Sequence, residues 1–478
     1  MPYGTRACTT GGTTRVPAAR TMSIAYGALP APVKGLRRDG GCRQGCSAAA
    51  CRAARSPRIA PAGSSPRTHG PDHGPPAAAR LPAPDPAVTA SLDAKARLGL
   101  TLIAGGAVAN IYYNQPLLGL IVAEFGDRAA LWVPTTALVG YGLGIVGLVP
   151  LGDALPRRAL IVGQCLGLAL ALLAVGLAPN LASLALAHLV VGVLSCAAQQ
   201  AVPFAAELAP DASRGRIVGQ VMTGLLTGIL LARTASGFLG AHLGWRPVFL
   251  VASVLALAMA GIARATLPHT VQTHPLRYRA LMLSILHLAR TQPVLRTASL
   301  SQALLFAGFN AFWATLALLV EGPPFGLSAA GAGLFGVIGV CGAFVAPISG
   351  RFTDRRGAKP VVLGGSLMVA LSFGILWAGG TWSLVAVALG VLLIDIGMNG
   401  ALIANQTRAY ALVPGARGRI NTVLFTTLFV FGALGAYAGS QAFLLVGWPG
   451  VCAVGLAFSA LAVIVAARDP HPPGVRST

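Results

Sequence analysis

The stretch LVAVALGVLLIDIGMNGALIA, residues 384–404, is apolar throughout except for Asp395 and Asn399. About 20 apolar residues in a helix cross a hydrocarbon layer roughly 30 Å thick, so this stretch reads as a membrane-spanning helix. A carboxyl at that depth is costly unless it is neutralised, paired or hydrated, and Asp395 therefore asks for a function. Eleven further runs of the same kind accompany it from Leu98 onward, giving twelve in all: 98–120, 131–151, 159–178, 181–207, 217–240, 246–266, 296–320, 328–350, 360–379, 382–405, 419–445 and 448–467. They are continuously apolar and do not alternate in and out over about ten residues, which predicts helices and not a barrel.

Composition agrees with that reading. The chain is 55% hydrophobic and 10% charged, with a mean hydropathy of +0.71, whereas soluble domains carry about 25% charged residues. The fold class expected is an all-α polytopic membrane protein.

Basic residues set the expected orientation. With the N-terminus inside, one set of alternating connections holds Arg157, Arg158, Arg214, Arg216, the segment 264–296, Arg351, Arg355, Arg356, Lys359, Arg408, Arg417 and Arg419. The other set holds only Arg128 and Arg246. Lys and Arg accumulate on cytoplasmic loops, so both termini are expected in the cytoplasm.

Residues 1–97 are of another kind, rich in Ala, Gly, Pro and Arg, with no helical periodicity. Such a segment cannot bury enough apolar surface to offset its ordering entropy, and it reads as a disordered basic tail. It could bind anionic lipid head groups or nucleic acid through its charge, act as an organelle-targeting segment, or be an upstream stretch included by a misassigned start, the reading preferred here. Its cysteines, Cys8, Cys42, Cys46 and Cys51, match no zinc spacing, so no metal or other cofactor is expected. Cys165, Cys196, Cys341 and Cys452 lie inside apolar runs and read as small packing residues.

The remainder of the chain contains itself twice. PDASRGRI at 210–217 recurs as PGARGRI at 414–420, and Gly244-Trp245 recurs as Gly447-Trp448. Arg214 and Arg417, Arg216 and Arg419, and Trp245 and Trp448 are separated by one common spacing; Asp153 has its counterpart at Asp354. Two parallel six-helix repeats are implied, 98–266 and 296–467, joined by a basic linker at 267–295 and followed by a tail at 468–478. Leu281, Ile285 and Leu288 share one face of the linker, which predicts an interfacial helix.

Two loops carry a motif. Gly350, Asp354, Arg355, Gly357 and Lys359 fit the pattern Gly-x-x-x-Asp-(Arg/Lys)-x-Gly-x-(Arg/Lys), and 151–158 keeps Asp153, Arg157 and Arg158 but has Ala154 and Pro156 where a base and a glycine are usual. On this motif and the duplicated halves the chain resembles the major facilitator superfamily over about 98–467. The segment NIYYNQPL at 110–117 and Leu118 is also similar to bacterial members described as drug or sugar exporters. The resemblance implies that the motif loops latch the cytoplasmic side while the cavity faces outward, with Glu207 as an acid partner. A carboxylate accepting from helix N-termini and Arg residues pairing with acids are the interactions such a latch needs.

The resemblance further implies that the first, fourth, seventh and tenth runs line a central cavity. Their polar residues are Asn110, Tyr113 and Asn114; Gln199 and Gln200; Gln302, Asn310 and Trp313; and Asp395, Asn399 and Gln406. Amides donate and accept without net charge, which suits a neutral or weakly cationic small molecule, although Asn and Gln also hold membrane helices together. Asp395 is the candidate proton carrier, and its alternative role is a structural ion pair with Arg233, the base lying deep in an apolar run. Arg233 occupies the place where antiporters of the family have the proline of a Gly-Pro motif, a departure that bears on antiport. His188 could relay protons, though packing is the commoner use of such a histidine.

Other classes lack their signatures. The lysines are Lys34, Lys95 and Lys359, and none completes a phosphate-binding loop; no His-Glu-x-x-His or Gly-x-Ser-x-Gly occurs. An ATP-driven pump and a membrane hydrolase are disfavoured, and no enzyme activity is expected. The expectation is a secondary transporter of small organic molecules, proton-coupled and outward-directed, working as a monomer in a bacterial inner membrane without nucleic-acid partners. Uptake of a sugar or related metabolite, and a receptor or scaffold on the same fold, are the alternatives.

Overall fold

The computed structural model describes residues 93–210, 213–269, 278–339, 341–413 and 416–468. The tail expected at 1–97 therefore lies outside the described residues up to position 92, as does nearly all of the C-terminal tail and the side chain of Asp153. Among the described residues every element is helical. The first half comprises α1 (Ala94–Ala109), α2 (Leu118–Phe125), α3 (Arg128–Gly147), α4 (Arg157–Gly176), α5 (Leu181–Ser195), α6 (Ala197–Leu208), α7 (Arg214–Leu243) and α8 (Trp245–Thr266). After α9 (Tyr278–Thr291) come α10 (Pro293–Trp313), α11 (Leu316–Glu321), α12 (Ala329–Gly339), α13 (Cys341–Arg356), α14 (Ala358–Gly379), α15 (Leu384–Tyr410), α16 (Arg417–Val446) and α17 (Trp448–Ala467).

Ten segments among the described residues are long and apolar enough to cross a membrane. Many large apolar side chains point outward from them, among them Leu170, Val254, Val385 and Leu445. Water would not tolerate so continuous an apolar surface, and lipid does. The protein is an integral, multi-pass membrane protein.

The expected run 328–350 falls into α12 and α13, and three other runs break within the described residues. The run 98–120 breaks between α1 and α2, where the bonds shorten to i→i−3 from Ile111 and Pro116 has no N–H to donate and disfavours helical geometry in the residue before it. Asn110 sits at the break and turns its Nδ2 back onto the Gly106 carbonyl at 2.7 Å. The run 296–320 breaks between α10 and α11, where the Thr315 hydroxyl bonds the Ala311 carbonyl at 2.9 Å. The run 181–207 divides at Cys196 into α5 and α6. Side-chain bonds to a backbone carbonyl compete with the regular ladder, a local effect that hydropathy does not register.

Packing repeats between the halves. α7 lies along α1, and α16 along α10; α3 crosses α16, and α12 crosses α7, to join one half to the other. Glycines permit these approaches. A Cβ on Gly439 would stand 2.7 Å from Ala311 Cα, and one on Gly237 would stand 2.5 Å from the Ala329 carbonyl oxygen. Where side chains vanish, dispersion between backbones replaces the hydrophobic drive that lipid removes.

The halves touch at the end bearing α2 and α11, where Gly119 lies against Glu321, and between α7 and α12, where the Thr234 hydroxyl reaches the Gly333 carbonyl at 3.4 Å. Between α3 and α16 the rings of Tyr141 and Phe429 pack tilted at 41°, their centres 4.3 Å apart. Toward the opposite end Met222, Thr223, Leu226 and Thr227 of α7 are exposed. There α9 spans the halves: its Tyr278 hydroxyl donates to the Gly147 carbonyl at 3.2 Å, and its Ser284 hydroxyl accepts from Arg419 at 3.2 Å. Leu281 and Leu288 are its buried residues and Ile285 is half-buried, the face that periodicity predicts.

Candidate functional site

A cavity of about 340 Å³ lies between the halves, walled by α7, α10, α12 and α15 and by Tyr112 from the break after α1. Its floor and sides are largely apolar, with Phe306, Phe309, Leu230 and Met398. Its polar groups are Tyr112, Thr223, Thr227, Arg233, Asp395 and Asn399. An apolar chamber with a few convergent polar groups is the usual form of a small-molecule site, and this volume is at the small end of the range of about 300–1,000 Å³.

Arg233 is 4% exposed. Its Nε donates to Gln115 Oε1 at 2.7 Å, and its guanidinium carbon stands 4.0 Å from the Trp313 ring centre and 4.7 Å from that of Tyr112. The irregular backbone at 110–117 delivers both Tyr112 and Gln115 to this point. α12 makes room for the arginine by being glycine on that face: a Cβ on Gly336 would lie 2.9 Å from Arg233 Cβ. Stacking on two rings and one amide bond hold the cation without neutralising it.

Asp395 is 5% exposed, and its Oδ2 has no hydrogen-bond partner. Asn399 donates to the Asp395 backbone carbonyl at 2.9 Å and so does not satisfy the carboxyl. No contact ion pair joins Asp395 to Arg233; the partners of the arginine are Gln115, Tyr112 and Trp313. Both charges face the same cavity.

The remaining sequence-derived candidates divide by location. Asn399 lines the cavity, and Trp313 backs Arg233. Asn110 and Tyr113 face instead a groove between α1, α7 and α8. Asn114 is buried with its Nδ2 unpartnered. Gln199 donates to the Tyr141 hydroxyl at 3.3 Å, and Gln200 to the Leu148 carbonyl at 2.7 Å, so both tie α6 to the α3 region. Asn310 is buried and bonds the Phe306 carbonyl of its own helix at 2.8 Å. Gln302 receives the Nδ2 of Asn405 at 3.0 Å, joining α10 to α15, whereas Gln406 is only half-buried and makes no such bridge. His188 is fully buried, bonded through Nδ1 to the Leu184 carbonyl and edge-on to Phe249, remote from the cavity lining.

Sequence reasoning passed over Tyr112, Gln115, Phe306, Phe309 and Asn405. Gln115 had one usable signal: a polar residue immediately before a proline inside an apolar run marks broken helix, where side chains turn inward.

The motif loops lie at the end where the α7 face is exposed. Arg157 Nε pairs with Glu207 at 3.1 Å, the Arg158 guanidinium bonds the Arg264 carbonyl, and Arg214 bonds the Ala206 carbonyl at 2.9 Å. In the second loop Gly357 has φ +81°, a conformation that costs glycine little and accounts for the motif glycine there. Pro156 cannot adopt it, and the first loop passes through a short 3-10 turn, Pro150–Asp153, before α4. Gly350 is half-buried and Lys359 likewise, while Asp354 and Arg355 are exposed.

The description of the Major Facilitator Superfamily fits residues 100–436, with a second match over 299–478. The chain belongs to that superfamily. YgaY of Escherichia coli (strain K12), named as a transporter without a stated substrate, is 38% identical over 374 residues, covering 78% of this chain and 95% of YgaY. SCO4007 of Streptomyces coelicolor, also named as a transporter, is 36% identical over 384 residues, 79% of this chain and 89% of that one. The crystal structure of a bacterial homologue of the human lysosomal transporter Spinster, inward-facing and unoccupied, superposes with a TM-score of 0.60 at 18% identity over 79% of this chain and 98% of the other. The nucleoside transporter NupG gives 0.62 at 15% identity over 78% and 98%. These two likenesses show the fold. Membership and the full-length relatives make the protein a transporter of the major facilitator type, and not an enzyme.

Proposed function

We propose that this superfamily member is a proton-coupled exporter of small organic molecules working by alternating access in a bacterial inner membrane. The observation that carries the reading is Asp395, the one carboxyl among the described residues that line the cavity between the halves. A carboxyl there takes a proton from one aqueous side and releases it to the other as the halves rock, and a substrate that competes with the proton is driven the opposite way. In this reading α1 with α2 and α12 with α13 each make one crossing, for twelve in total, with both termini in the cytoplasm.

The end closed by α2 and α11 is then external, and the cavity opens to the cytoplasm past the exposed α7 face. Exposure of Asp354 and Arg355 fits a latch that is disengaged in this state. Outward direction rests on the segment 110–118 and its likeness to exporters; the halves, 98–266 and 296–467, act as rocking bodies in a monomer.

The test is flux in vesicles carrying the purified full-length chain under an imposed pH gradient. Uphill movement of a compound found by comparing internal metabolites of cells with and without the gene supports the reading. Asp395→Asn should abolish gradient-driven movement while exchange persists at saturating substrate. Unchanged gradient-driven flux in that variant removes Asp395 as carrier, and loss of internal substrate from cells lacking the gene would establish uptake instead.

A further inference from the structure

Two buried charges of opposite sign open into one cavity, and neither has a charged partner within contact. The Arg233 fork is fixed at its Nε by Gln115 and on its faces by Trp313 and Tyr112, which leaves the terminal nitrogens as its free hydrogen-bonding edge. That edge is planar, rigid and shaped for a carboxylate. Asp395 contributes an Oδ2 with no donor. Each group is more than nine-tenths buried, where an uncompensated charge is expensive and a ligand that supplies the complement is favoured.

The separation of the charges is set by α12. Gly336 packs against the Arg233 side chain and Gly339 against the Asp395 carboxyl, a Cβ there lying 3.3 Å from Oδ1. Positions three apart on a helix are neighbours on one face, with about 5–6 Å between their Cβ atoms. The carboxyl and the arginine stem therefore stand side by side, with the guanidinium reaching on toward Trp313. Phe306, Phe309, Leu230 and Met398 supply an apolar wall beside them.

We propose that the cavity recognises a small zwitterion, an amino-carboxylate with an aromatic or branched apolar body, its carboxylate on Arg233 and its ammonium on Asp395. This rests on the transport reading above and deepens it, because an ammonium arriving at Asp395 displaces the proton from the same oxygen, which links substrate and proton in opposite directions. No bond is made or broken; a proton leaves the carboxyl for water as the ammonium docks. The amide-lined cavity for neutral or weakly cationic compounds expected from sequence gives way here to a site with one charge of each sign.

The experiment uses the full-length chain in detergent and in vesicles with three probes that share one ring: phenylalanine, its methyl ester and 3-phenylpropionate. Binding is read as thermal stabilisation, and exchange as counterflow, which needs no gradient. Phenylalanine should bind about ten- to hundredfold more tightly than either analogue, since each lacks one charge-assisted partner. Arg233→Gln should erase the preference for the acid over the ester, and Asp395→Asn the preference for phenylalanine over 3-phenylpropionate. Arg233→Lys, which keeps the charge without the fork, should retain the order of acid over ester and guards against a Gln variant that does not fold.

Equal binding of the three probes, or failure of phenylalanine to bind the wild type, overturns the proposal. Zwitterion binding without gradient-driven flux leaves this site standing and removes the proton-coupled reading. Gradient-driven flux of some other compound with no zwitterion binding does the reverse.

Discussion

Replacing Asn405 by leucine offers a quantitative test of how the second half is held together. Asn405 on α15 and Gln302 on α10 are both fully buried, joined by an Nδ2 to Oε1 bond of 3.0 Å. Gln302 also donates to the Met398 carbonyl at 3.2 Å, and Ser301 donates to Asn405 Oδ1 at 3.5 Å. Leucine keeps the branched outline and heavy-atom count of asparagine but is bulkier, so the loss of polar partners is joined by some crowding. It leaves Gln302 Oε1 without its donor in a region where water does not substitute, at a cost of roughly 1–3 kcal/mol, while the Ser301 hydroxyl keeps its bond to the Ala298 carbonyl at 3.3 Å. Gln302→Leu strands Asn405 in the same way and should cost a similar amount. The double variant removes both ends of one bond and should be less destabilised than the sum of the singles, by the roughly 0.6–1.7 kcal/mol that interhelical bonds contribute in membrane proteins. Reversible unfolding in mixed detergent micelles measures all three differences. Additivity within about 0.5 kcal/mol would refute the coupling; unaltered stability with altered transport would instead assign the amides to substrate.

Gly435→Ala should destabilise the crossing of α16 and α10, because its Cβ would lie 2.5 Å from Ala307 Cα, whereas Gly374→Ala, with open space at that position, should be neutral or stabilising by about 0.5–1 kcal/mol; folded yield and melting temperature separate the two. Asp354→Asn should leave folding near wild type and slow turnover, since the residue is exposed in this state and acts only when the motif end closes; normal cycling at normal expression removes the latch role. At the opposite end, hydrogen bonding from Arg246 holds the Glu124 carboxyl below the ordinary carboxylate range, opposed by a little burial and helped by Trp245. A lowered pKa stabilises the folded state above the unfolded value and loses that contribution as pH falls through the folded one. The excess stability of wild type over Glu124→Gln, under about 1 kcal/mol for so exposed a pair, should thus be full at neutral pH and fade below about pH 4, followed by Trp245 fluorescence.

The family and the helical, membrane-embedded nature of the chain were legible because hydropathy, loop charge and the duplicated motif are one-dimensional signals. The stripe on 278–291 was legible for the same reason, as three apolar residues at helical spacing declare a buried face. The cavity was not, because a polar residue in a membrane helix has two uses that sequence does not separate. Gln200, Asn310 and Asn399 all bond backbone carbonyls, yet of the three Asn399 alone lines the cavity. Register decided between Gln406 and Asn405: neighbours on a helix differ by about 100° in direction, and only one of them faces α10. Gln115 and Tyr112 became visible only once the break at Pro116 turned their backbone out of the helical path.

The two short helices α2 and α11 have a kinetic consequence. Each is joined to its long partner through non-helical residues, at 110–117 and at Ala314 and Thr315, and the two touch through Gly119 and Glu321. A continuous helix would move its tip only by tilting along its whole length. Here the tips are separate short helices on non-helical joints, and such a tip should be able to swing aside while its long helix stays in place. Sealing of the chamber and reorientation of the halves then become two events with two barriers, and single-molecule distance records between α2 and α11 would resolve a brief dwell in which the chamber is shut at both ends.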